Sequence, residues 1–257
     1  MYQGFNLEGK VAVVIGGTSG IGAAIAVGLA EAGADVVPCS RRIRAGGAVC
    51  DAVEQRGRRT LRISADVTSR ESLIQARDSI LDAFAHIDIL VNSAGRIRRT
   101  AALDLSEEEW YTAIETNLTG TLRACQVFAA PMIAQSWGRI INIASLNSFA
   151  AFYEVAAYAA SKAGVAGLTR ALAVEWGKRG VNVNAIAPGV VRTALNEALL
   201  DETDRGKELL MRTPLHRFGK PEELAGAAVY LASEASSFVN GEILVVDGGF
   251  LASGVNQ

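Results

Sequence analysis

Short apolar runs bounded by polar or turn-forming residues recur along the chain every few tens of residues. We predict a buried parallel strand at each of them, at 11–15, 35–40, 61–65, 87–91, 139–144, 181–186 and 243–246. Apolar residues at helical spacing fill the intervals, which predicts helices over 21–32, 71–84, 107–135, 156–178 and 222–232. Because strands and helices alternate, the predicted fold class is α/β. We expect a doubly wound Rossmann-type domain with a mostly parallel seven-stranded sheet and helices on both faces.

Two segments depart from this alternation. Pro38 stands inside the second predicted strand, where proline removes a hydrogen-bond donor, so it lies near the strand's carboxyl end or the boundary shifts by a residue or two. Residues 193–213 offer a helical pattern where another strand would be expected. No linker or internal repeat divides the chain, and we interpret 193–213 as a cap over the site within one domain spanning 1–257.

Composition and charge narrow the class of ligand. Half of the 257 residues are hydrophobic and 6% are aromatic, which predicts a core of Ala, Val, Leu and Ile. With 25 Lys and Arg against 27 Asp and Glu, the net charge of -2 provides no overall positive field for nucleic acid. We therefore expect a small-molecule ligand and no nucleic-acid partner.

Residues 11–30 carry no charge and are long enough to be considered as a membrane span. Glycines such as Gly16, Gly20 and Gly28 each disfavour a continuous helix by about 1 kcal/mol relative to Ala. The β-branched residues at the start of the segment favour a strand. We therefore predict a strand, a glycine turn and a helix, and no association with a membrane.

The cysteines and histidines are too sparse for a structural framework. Cys39, Cys50 and Cys125 are odd in number and lack C-x-x-C spacing, and His86 and His216 stand 130 positions apart. We expect reduced thiols, no metal site and a cytoplasmic protein.

The first predicted strand leads directly into a glycine-rich segment, Gly16-Gly17-Thr18-Ser19-Gly20-Ile21-Gly22, and then into a helix. Glycines permit a tight turn and a close approach to a pyrophosphate, and the helix N-terminus offers free N–H groups. The spacing is Gly-x-x-x-Gly-x-Gly. We predict dinucleotide contacts at Gly16, Thr18, Ser19, Gly20, Ile21 and Gly22.

A second signal lies in a later predicted helix, where Tyr158 and Lys162 stand four positions apart and share one face. Ser145 follows the strand predicted at 139–144, at the edge of an α/β sheet that faces the ligand crevice. Reduction of a carbonyl by hydride leaves an alkoxide that must gain a proton. A phenol can donate it if its pKa of about 10 falls toward neutrality. We expect the Lys162 charge, together with the positive ring of an oxidised nicotinamide, to lower it, while Ser145 polarises the carbonyl oxygen.

From Lys10 to Phe250 the chain resembles the short-chain dehydrogenase/reductase family. The matching segments are Asn92-Ser93-Ala94-Gly95, Thr116-Asn117-Leu-Thr-Gly120, Ile143-Ala-Ser145, Tyr158-x-x-x-Lys162, Pro188-Gly189 and Val246-Asp-Gly-Gly249. The chain departs from the family pattern at Ile15, where Thr is usual, and at Ser93, where Asn is usual. Both sites look structural, so we expect cofactor binding to survive.

The resemblance implies roles for particular residues. Tyr158 would be the acid/base, Lys162 its electrostatic partner and a ribose ligand, Ser145 the donor to the substrate oxygen, and Asn117 the anchor of a water in the proton relay. Further cofactor contacts are implied for Asp66, Val67, Asn92, Ala94, Gly95, Pro188, Gly189, Val191 and Thr193. Members of the family are usually tetrameric, and the apolar faces of 107–135 and 156–178 are larger than one side of a sheet can bury. Together these features predict a homotetramer.

The end of the second strand predicts which nicotinamide is bound. The run Cys39-Ser40-Arg41-Arg42 contains no carboxylate to hold an unmodified ribose or repel a 2′-phosphate. The hydroxyl of Ser40 and the guanidinium groups of Arg41 and Arg42 suit a phosphate. We predict NADP(H), with NAD(H) possible; the alternative is a basic loop that only flanks solvent.

Cations cluster after Gly95, in Arg96-Ile-Arg98-Arg99-Thr100, where a substrate carboxylate or phosphate would suit them. With Ser145-Leu-Asn-Ser-Phe149, this stretch resembles the sugar-acid branch of the family, which contains gluconate 5-dehydrogenases and 2-deoxygluconate 3-dehydrogenases. Arg98 or Arg99 would then hold the acid.

By the same resemblance, the substrate hydroxyls would hydrogen-bond to Asn147, Ser148 and Glu154. Three alternatives remain open: arginines that serve only surface or subunit salt bridges, a 3-oxoacyl-acyl-carrier-protein reductase, and a non-catalytic dinucleotide-binding sensor.

Overall fold

A parallel sheet lies at the centre of the residues that this computed structural model describes, which are 3–41, 47–194, 196–201 and 203–254. Its strands follow the spatial order β2-β1-β3-β4-β5-β6. Their bounds are β1 Val11–Ile15, β2 Asp35–Cys39, β3 Ile89–Asn92, β4 Gly138–Ile143, β5 Val181–Pro188 and β6 Ile243–Val246. All five neighbouring pairs are parallel, so the predicted doubly wound sheet is confirmed.

Helices cover both faces of the sheet. Their bounds are α1 Gly20–Glu31, α2 Gly47–Glu54, α3 Arg70–Phe84, α4 Glu107–Ile114, α5 Gly120–Ala134, α6 Ala156–Trp176, α7 Glu197–Leu200, α8 Asp204–Met211 and α9 Ala225–Ala232. Alternate residues of a strand point to opposite faces, so Val13 packs with α3, α5 and α6, and Val14 packs with α1, α2 and α9. Both faces are therefore apolar, as a buried parallel strand requires.

The described residues form six strands rather than the predicted seven. The segment predicted at 61–65 makes only one isolated bridge to the edge of β2, between Ser64 and Ser40. On this outer side, the Val36 N–H donates to the Arg59 carbonyl and the Ser40 carbonyl accepts the Ala65 N–H. Pro38 lies between Val36 and Ser40 on the same side of the strand. Because proline has no N–H, the ladder breaks there, and β2 tolerates Pro38 only because it is the edge strand.

The predicted helix at 107–135 is not one regular helix. It comprises α4, a π-helical segment at Glu115–Thr119, and α5. Single π-helical turns inside α-helices occur frequently at functional sites. This one contains Asn117, a predicted site residue.

The strand order reverses between β1 and β3, and a ligand crevice in such a sheet opens at the carboxyl ends of those strands. The residues that follow β1, β2, β3 and β4 all meet at this edge. None of the helices in the described ranges has the length and apolar content needed to cross a membrane. Within 193–213 lie α7 and α8, and their action as a cap stays a prediction.

Candidate active site

The glycine turn between β1 and α1 is tightly packed. Gly16 has a positive φ of 81°, and a Cβ there would lie 2.5 Å from the backbone nitrogen of Ala94. A Cβ on Gly22 would lie 2.2 Å from the carbonyl oxygen of Gly16. Both positions require glycine, because the turn is pressed against the loop that follows β3 and against its own helix.

The N-terminus of α1 is open towards a cleft. Ser19 is the N-cap residue and makes no side-chain capping bond, so the first N–H groups of the helix are left for a ligand. A Cβ on Gly20 would meet nothing closer than the Thr193 Cγ2 atom, at 3.7 Å. Free N–H groups beside open space suit phosphate oxygens, so this turn fits a dinucleotide.

The cleft beside this turn has a volume of about 600 Å³. Many residues predicted to contact the cofactor line it, namely Gly16, Thr18, Ser19, Gly20, Ser40, Arg41, Asp66, Val67, Ala94, Gly95 and Thr193. Arg42 lies outside the described residues. Gly189 and Val191 instead line a second cavity of about 220 Å³. Asn92 is buried and donates to Asn142 Oδ1 at 2.9 Å, a contact within the sheet.

Three further predicted contacts lie outside the lining of this cleft. Ile21 and Gly22 belong to the first turn of α1, and Pro188 is the last residue of β5. Their proposed roles in cofactor binding stay predictions.

Lys162 is buried in α6, one turn after Tyr158. Its Nζ atom donates to the carbonyl oxygen of Ile143, at the end of β4, over 2.6 Å. The same atom lies 5.8 Å from the centroid of the Tyr158 ring. Burial lowers the pKa of Lys162 to about 8, because the ammonium is removed from water.

In the chain without a bound nucleotide, the pKa of the Tyr158 phenol is not lowered; the lowered pKa expected with an oxidised nicotinamide in place stays a prediction. Burial raises the pKa of Tyr158, and a hydrogen bond with Ser145 opposes that rise without cancelling it. Acid/base chemistry at neutral pH therefore needs a further positive charge near the phenol.

Ser145 follows β4 and caps the short 3-10 turn at Leu146–Ser148. Its Oγ atom accepts the backbone N–H of Asn147 at 3.1 Å and bonds to Tyr158. The hydroxyl is thus held in place by the backbone on one side and by the phenol on the other. Ser145 and Tyr158 are therefore brought together as predicted.

Asn117 is fully buried in the π-helical segment. Its Oδ1 atom accepts the backbone N–H of Arg96 at 2.8 Å, and its Nδ2 atom donates to the Arg96 carbonyl at 2.9 Å and to Ser161 Oγ at 3.0 Å. A Cβ on Gly95 would lie 3.5 Å from Asn117 Oδ1 and 3.7 Å from Lys162 Nζ. The side chain of Asn117 thus fixes the loop after β3 beside Lys162.

The predicted substrate arginines are each paired with a carboxylate of the same chain. Arg98 lies 2.6 Å from Glu109 and Arg99 lies 2.6 Å from Glu154. Glu154, predicted to meet a substrate hydroxyl, is therefore also an ion-pair partner. The sequence missed Arg96, which lines the cleft, although the cation cluster contained it.

Two other predicted substrate residues lie close to Ser145. Ser148 donates its hydroxyl to the carbonyl oxygen of Lys162 at 2.8 Å. Asn147 is buried, and its Oδ1 atom has no hydrogen-bond donor among the described residues. Asn147 lines neither of the two cavities described above, so its contact with a substrate hydroxyl stays a prediction.

A parallel sheet with a glycine turn after its first strand and a Ser, Tyr and Lys set at its carboxyl edge defines a dinucleotide-binding α/β protein. A family model described as "Enoyl-(Acyl carrier protein) reductase" matches residues 16–251. The sequence is 45% identical over 249 residues to a 2-dehydro-3-deoxy-D-gluconate 5-dehydrogenase of Escherichia coli, covering 96% of this chain and 98% of that protein. The chain belongs to the short-chain dehydrogenase/reductase family and is an oxidoreductase.

Two further relatives bear on the choice of substrate. A 3-oxoacyl-acyl-carrier-protein reductase of Vibrio cholerae is 40% identical over 244 residues, covering 95% of this chain and 98% of that one. A gluconate 5-dehydrogenase structure from Burkholderia cenocepacia, in complex with NADP and tartrate, matches with a TM-score of 0.94 at 38% identity. That match covers 98% of each chain.

Proposed function

We propose that this chain is an NADP(H)-dependent oxidoreductase that interconverts a carbonyl and a secondary alcohol on a sugar acid or keto-sugar acid. One observation carries the proposal: Ser145 bonds to Tyr158, and Lys162 lies one helical turn from that phenol, beside a cleft with an open helix N-terminus. Two of the three relatives named above support the sugar-acid substrate, because they are named as dehydrogenases of sugar acids, and one of them is in complex with tartrate, a hydroxy acid.

In carbonyl reduction, Ser145 turns its single hydroxyl hydrogen from the phenol to the carbonyl oxygen and stabilises the negative charge that develops there. Tyr158 then donates its phenolic proton to that oxygen and becomes a phenolate. When bound, the nicotinamide would supply the hydride and, once oxidised, a positive ring that favours the phenolate. The buried ammonium of Lys162 adds a positive charge near the phenolate, and the attraction between the two charges is strong because little water surrounds them.

We propose that Asn117 anchors a water molecule in the proton relay. Its side-chain amide already bonds to Arg96 and Ser161, so a relay water would bond to the main chain of the π-helical segment. That segment has the irregular backbone on which such a water could be held.

The preference for NADP(H) rests on the end of β2. Ser40 and Arg41 line the cleft there, and the Arg41 guanidinium suits a 2′-phosphate. We expect Arg41→Ala to weaken the preference for NADPH over NADH by about tenfold, which is the loss of one charge-assisted contact. The ratio of kcat/KM with the two nucleotides checks this, and an equal preference in wild type and variant would contradict it.

The rival substrate class is an acyl thioester, favoured by the relative from Vibrio cholerae. A turnover comparison separates the two classes: a panel of keto-sugar acids against an acetoacetyl thioester, both with NADPH. Faster turnover of a keto-sugar acid is expected, because the relatives from Escherichia coli and Burkholderia cenocepacia are both named for sugar-acid substrates. Preference for the thioester would refute the proposed substrate class. A non-catalytic sensor is disfavoured, since it has no use for a phenol bonded to Ser145.

We also propose a homotetramer in the cytoplasm. The exposed apolar residues Tyr111 of α4 and Val174 of α6 support association, because both lie on the helices predicted to have surplus apolar surface. The three cysteines are free and buried thiols, as suits a reducing compartment.

A further inference from the structure

Three arginines stand within four positions of the loop after β3, and their surroundings differ. Arg98 and Arg99 are each neutralised by a carboxylate at 2.6 Å. Arg96 is exposed, lines the 600 Å³ cleft, and its guanidinium has no partner among the residues that the structure describes. The loop therefore contributes one uncompensated positive charge to the cleft.

The backbone of Arg96 is held more firmly than its exposure suggests. Both its N–H and its carbonyl group bond to the amide of Asn117, at 2.8 and 2.9 Å, and Asn117 is completely buried. A fixed backbone limits the volume that the side chain can reach. The guanidinium is thus confined to the neighbourhood of the cleft, which reduces the entropy lost when it binds an anion.

The sheet order gives Arg96 a defined position relative to the glycine turn. β1 lies between β2 and β3, so Arg41 follows the strand on one side of the turn and Arg96 follows the strand on the other. Ala94 touches the turn directly, since a Cβ on Gly16 would lie 2.5 Å from its nitrogen. Arg96 is two residues further on and lines the same cleft as Ser19 and Gly20 at the N-terminus of α1.

The charges of the cleft fit a dinucleotide. Among its described lining residues, the charged side chains are Arg41, Arg96 and Asp66, and Asp66 is already bonded to Thr68. The pyrophosphate common to NAD and NADP carries negative charge and would bind at the α1 N-terminus, between the two arginines.

We propose that Arg96 is a cofactor-binding residue that pairs with this pyrophosphate, leaving the 2′-phosphate to Arg41. The proposal rests on the proposed function. It distinguishes the three arginines by what they do: Arg98 and Arg99 hold the loop to α4 and to the segment before α6, and Arg96 binds the nucleotide.

Binary dissociation constants, measured without substrate for NADPH and for NADH, test this assignment. Arg96→Met is expected to weaken both by about fivefold to tenfold, because both nucleotides contain the pyrophosphate. Arg96→Lys, which keeps the charge but lacks the planar fork, should recover part of the affinity. Arg41→Met should weaken NADPH alone.

Arg179→Met is the matched control. Arg179 is exposed, has no partner among the described residues and precedes β5 at the opposite edge of the sheet, so its loss changes the net charge equally. It should leave both constants unchanged. Thermal unfolding of each variant verifies that the fold is intact.

Three results would overturn the assignment. Unchanged binding of both nucleotides by Arg96→Met would mean that the guanidinium touches no phosphate. Weakened NADPH alone would assign Arg96 to the 2′-phosphate. Unchanged binary binding with a raised KM for a sugar acid would assign it to the substrate carboxylate. The proposed function fails separately, when the wild-type chain binds no nicotinamide nucleotide or turns over no sugar acid.

Discussion

Lys162 is held in a position that disfavours its own charge. Its pKa is lowered to about 8 by burial, so at neutral pH the native state carries a buried ammonium. For a base whose folded pKa lies below its unfolded value, the charge costs stability at low pH, and the cost disappears as pH rises from about 8 to about 10.5. The cation beside the phenol therefore lowers the free energy of unfolding at neutral pH.

Lys162→Met should therefore stabilise the chain while abolishing activity. We expect the free energy of unfolding at pH 7 to rise by about 2 kcal/mol, since about 3 kcal/mol of burial cost is removed and the bond to Ile143 is lost. The gain should shrink towards zero at pH 10. Urea denaturation at both pH values measures it. A variant less stable than wild type at pH 7 would contradict this interpretation.

Two other residue positions show what a sequence pattern conveys and what it omits. The spacing of Tyr158 and Lys162 correctly predicted a shared helix face, because the α-helix repeat is fixed. It could not predict the pKa of Tyr158, which depends on burial by residues distant in the chain. Likewise, the arginine-rich run predicted a cationic loop, but only the folded chain reveals that Glu109 and Glu154 neutralise two members.

At the scale of the element, the π-helical segment at Glu115–Thr119 joins the sheet edge to the site. Asn117 is buried inside it and holds both the loop after β3 and Ser161 of α6. The apolar periodicity predicted one helix over 107–135, because the segments on both sides of the π turn are helical and apolar spacing alone does not distinguish the turn between them. The interruption is where the site residue is found.

Asn117→Ala should loosen this junction. Its loss removes both bonds that hold the backbone of Arg96 and the amide donor that faces the buried Ser161 hydroxyl, at a cost of about 1–3 kcal/mol. We expect a lower melting temperature and a loss of activity, with Asn117→Asp less stable than wild type because it lacks the amide donor. Circular dichroism melting and steady-state kinetics provide the check. Wild-type stability in both variants would be inconsistent with the role described.

The strands were the elements best predicted from sequence. β1 and β6 match their predicted bounds, and the others shift by one or two residues, because β-branched runs bounded by turns mark buried strands clearly. The missing strand at 61–65 has a single cause that sequence also contained, the proline at the edge of β2. Pro38 is visible in the sequence, but whether its missing N–H faces β1 or the outer side of β2 depends on the strand register, which sequence alone does not give.

At the scale of the molecule, α6 carries a partly flat exposed face with Gly167, Ala171 and Val174. The Val174 side chain is 84% exposed, which is unusual for a large apolar residue on a helix that otherwise packs on the sheet. Small residues allow a second copy to approach closely. We propose this face as an interface of the homotetramer proposed above.

Val174→Glu should break that association. A two-fold symmetric interface places the introduced carboxylate on both subunits, so the cost of burying an unpaired charge is incurred twice per contact. We expect light scattering after gel filtration to give a smaller species for Val174→Glu, while the apolar control Val174→Ile remains tetrameric. A wild-type monomer, or an unchanged assembly of the glutamate variant, would refute the interface.

The proposed mechanism requires the phenol of Tyr158 as the proton donor. Single-turnover hydride transfer with Tyr158→Phe tests this requirement most directly. The variant keeps the ring and loses only the hydroxyl, and Tyr111→Phe, on the exposed face of α4, is the matched control. We predict that Tyr158→Phe binds NADPH as wild type does and transfers hydride to a keto-sugar acid about 100-fold more slowly or worse. Transfer at the wild-type rate on every carbonyl substrate would contradict the mechanism.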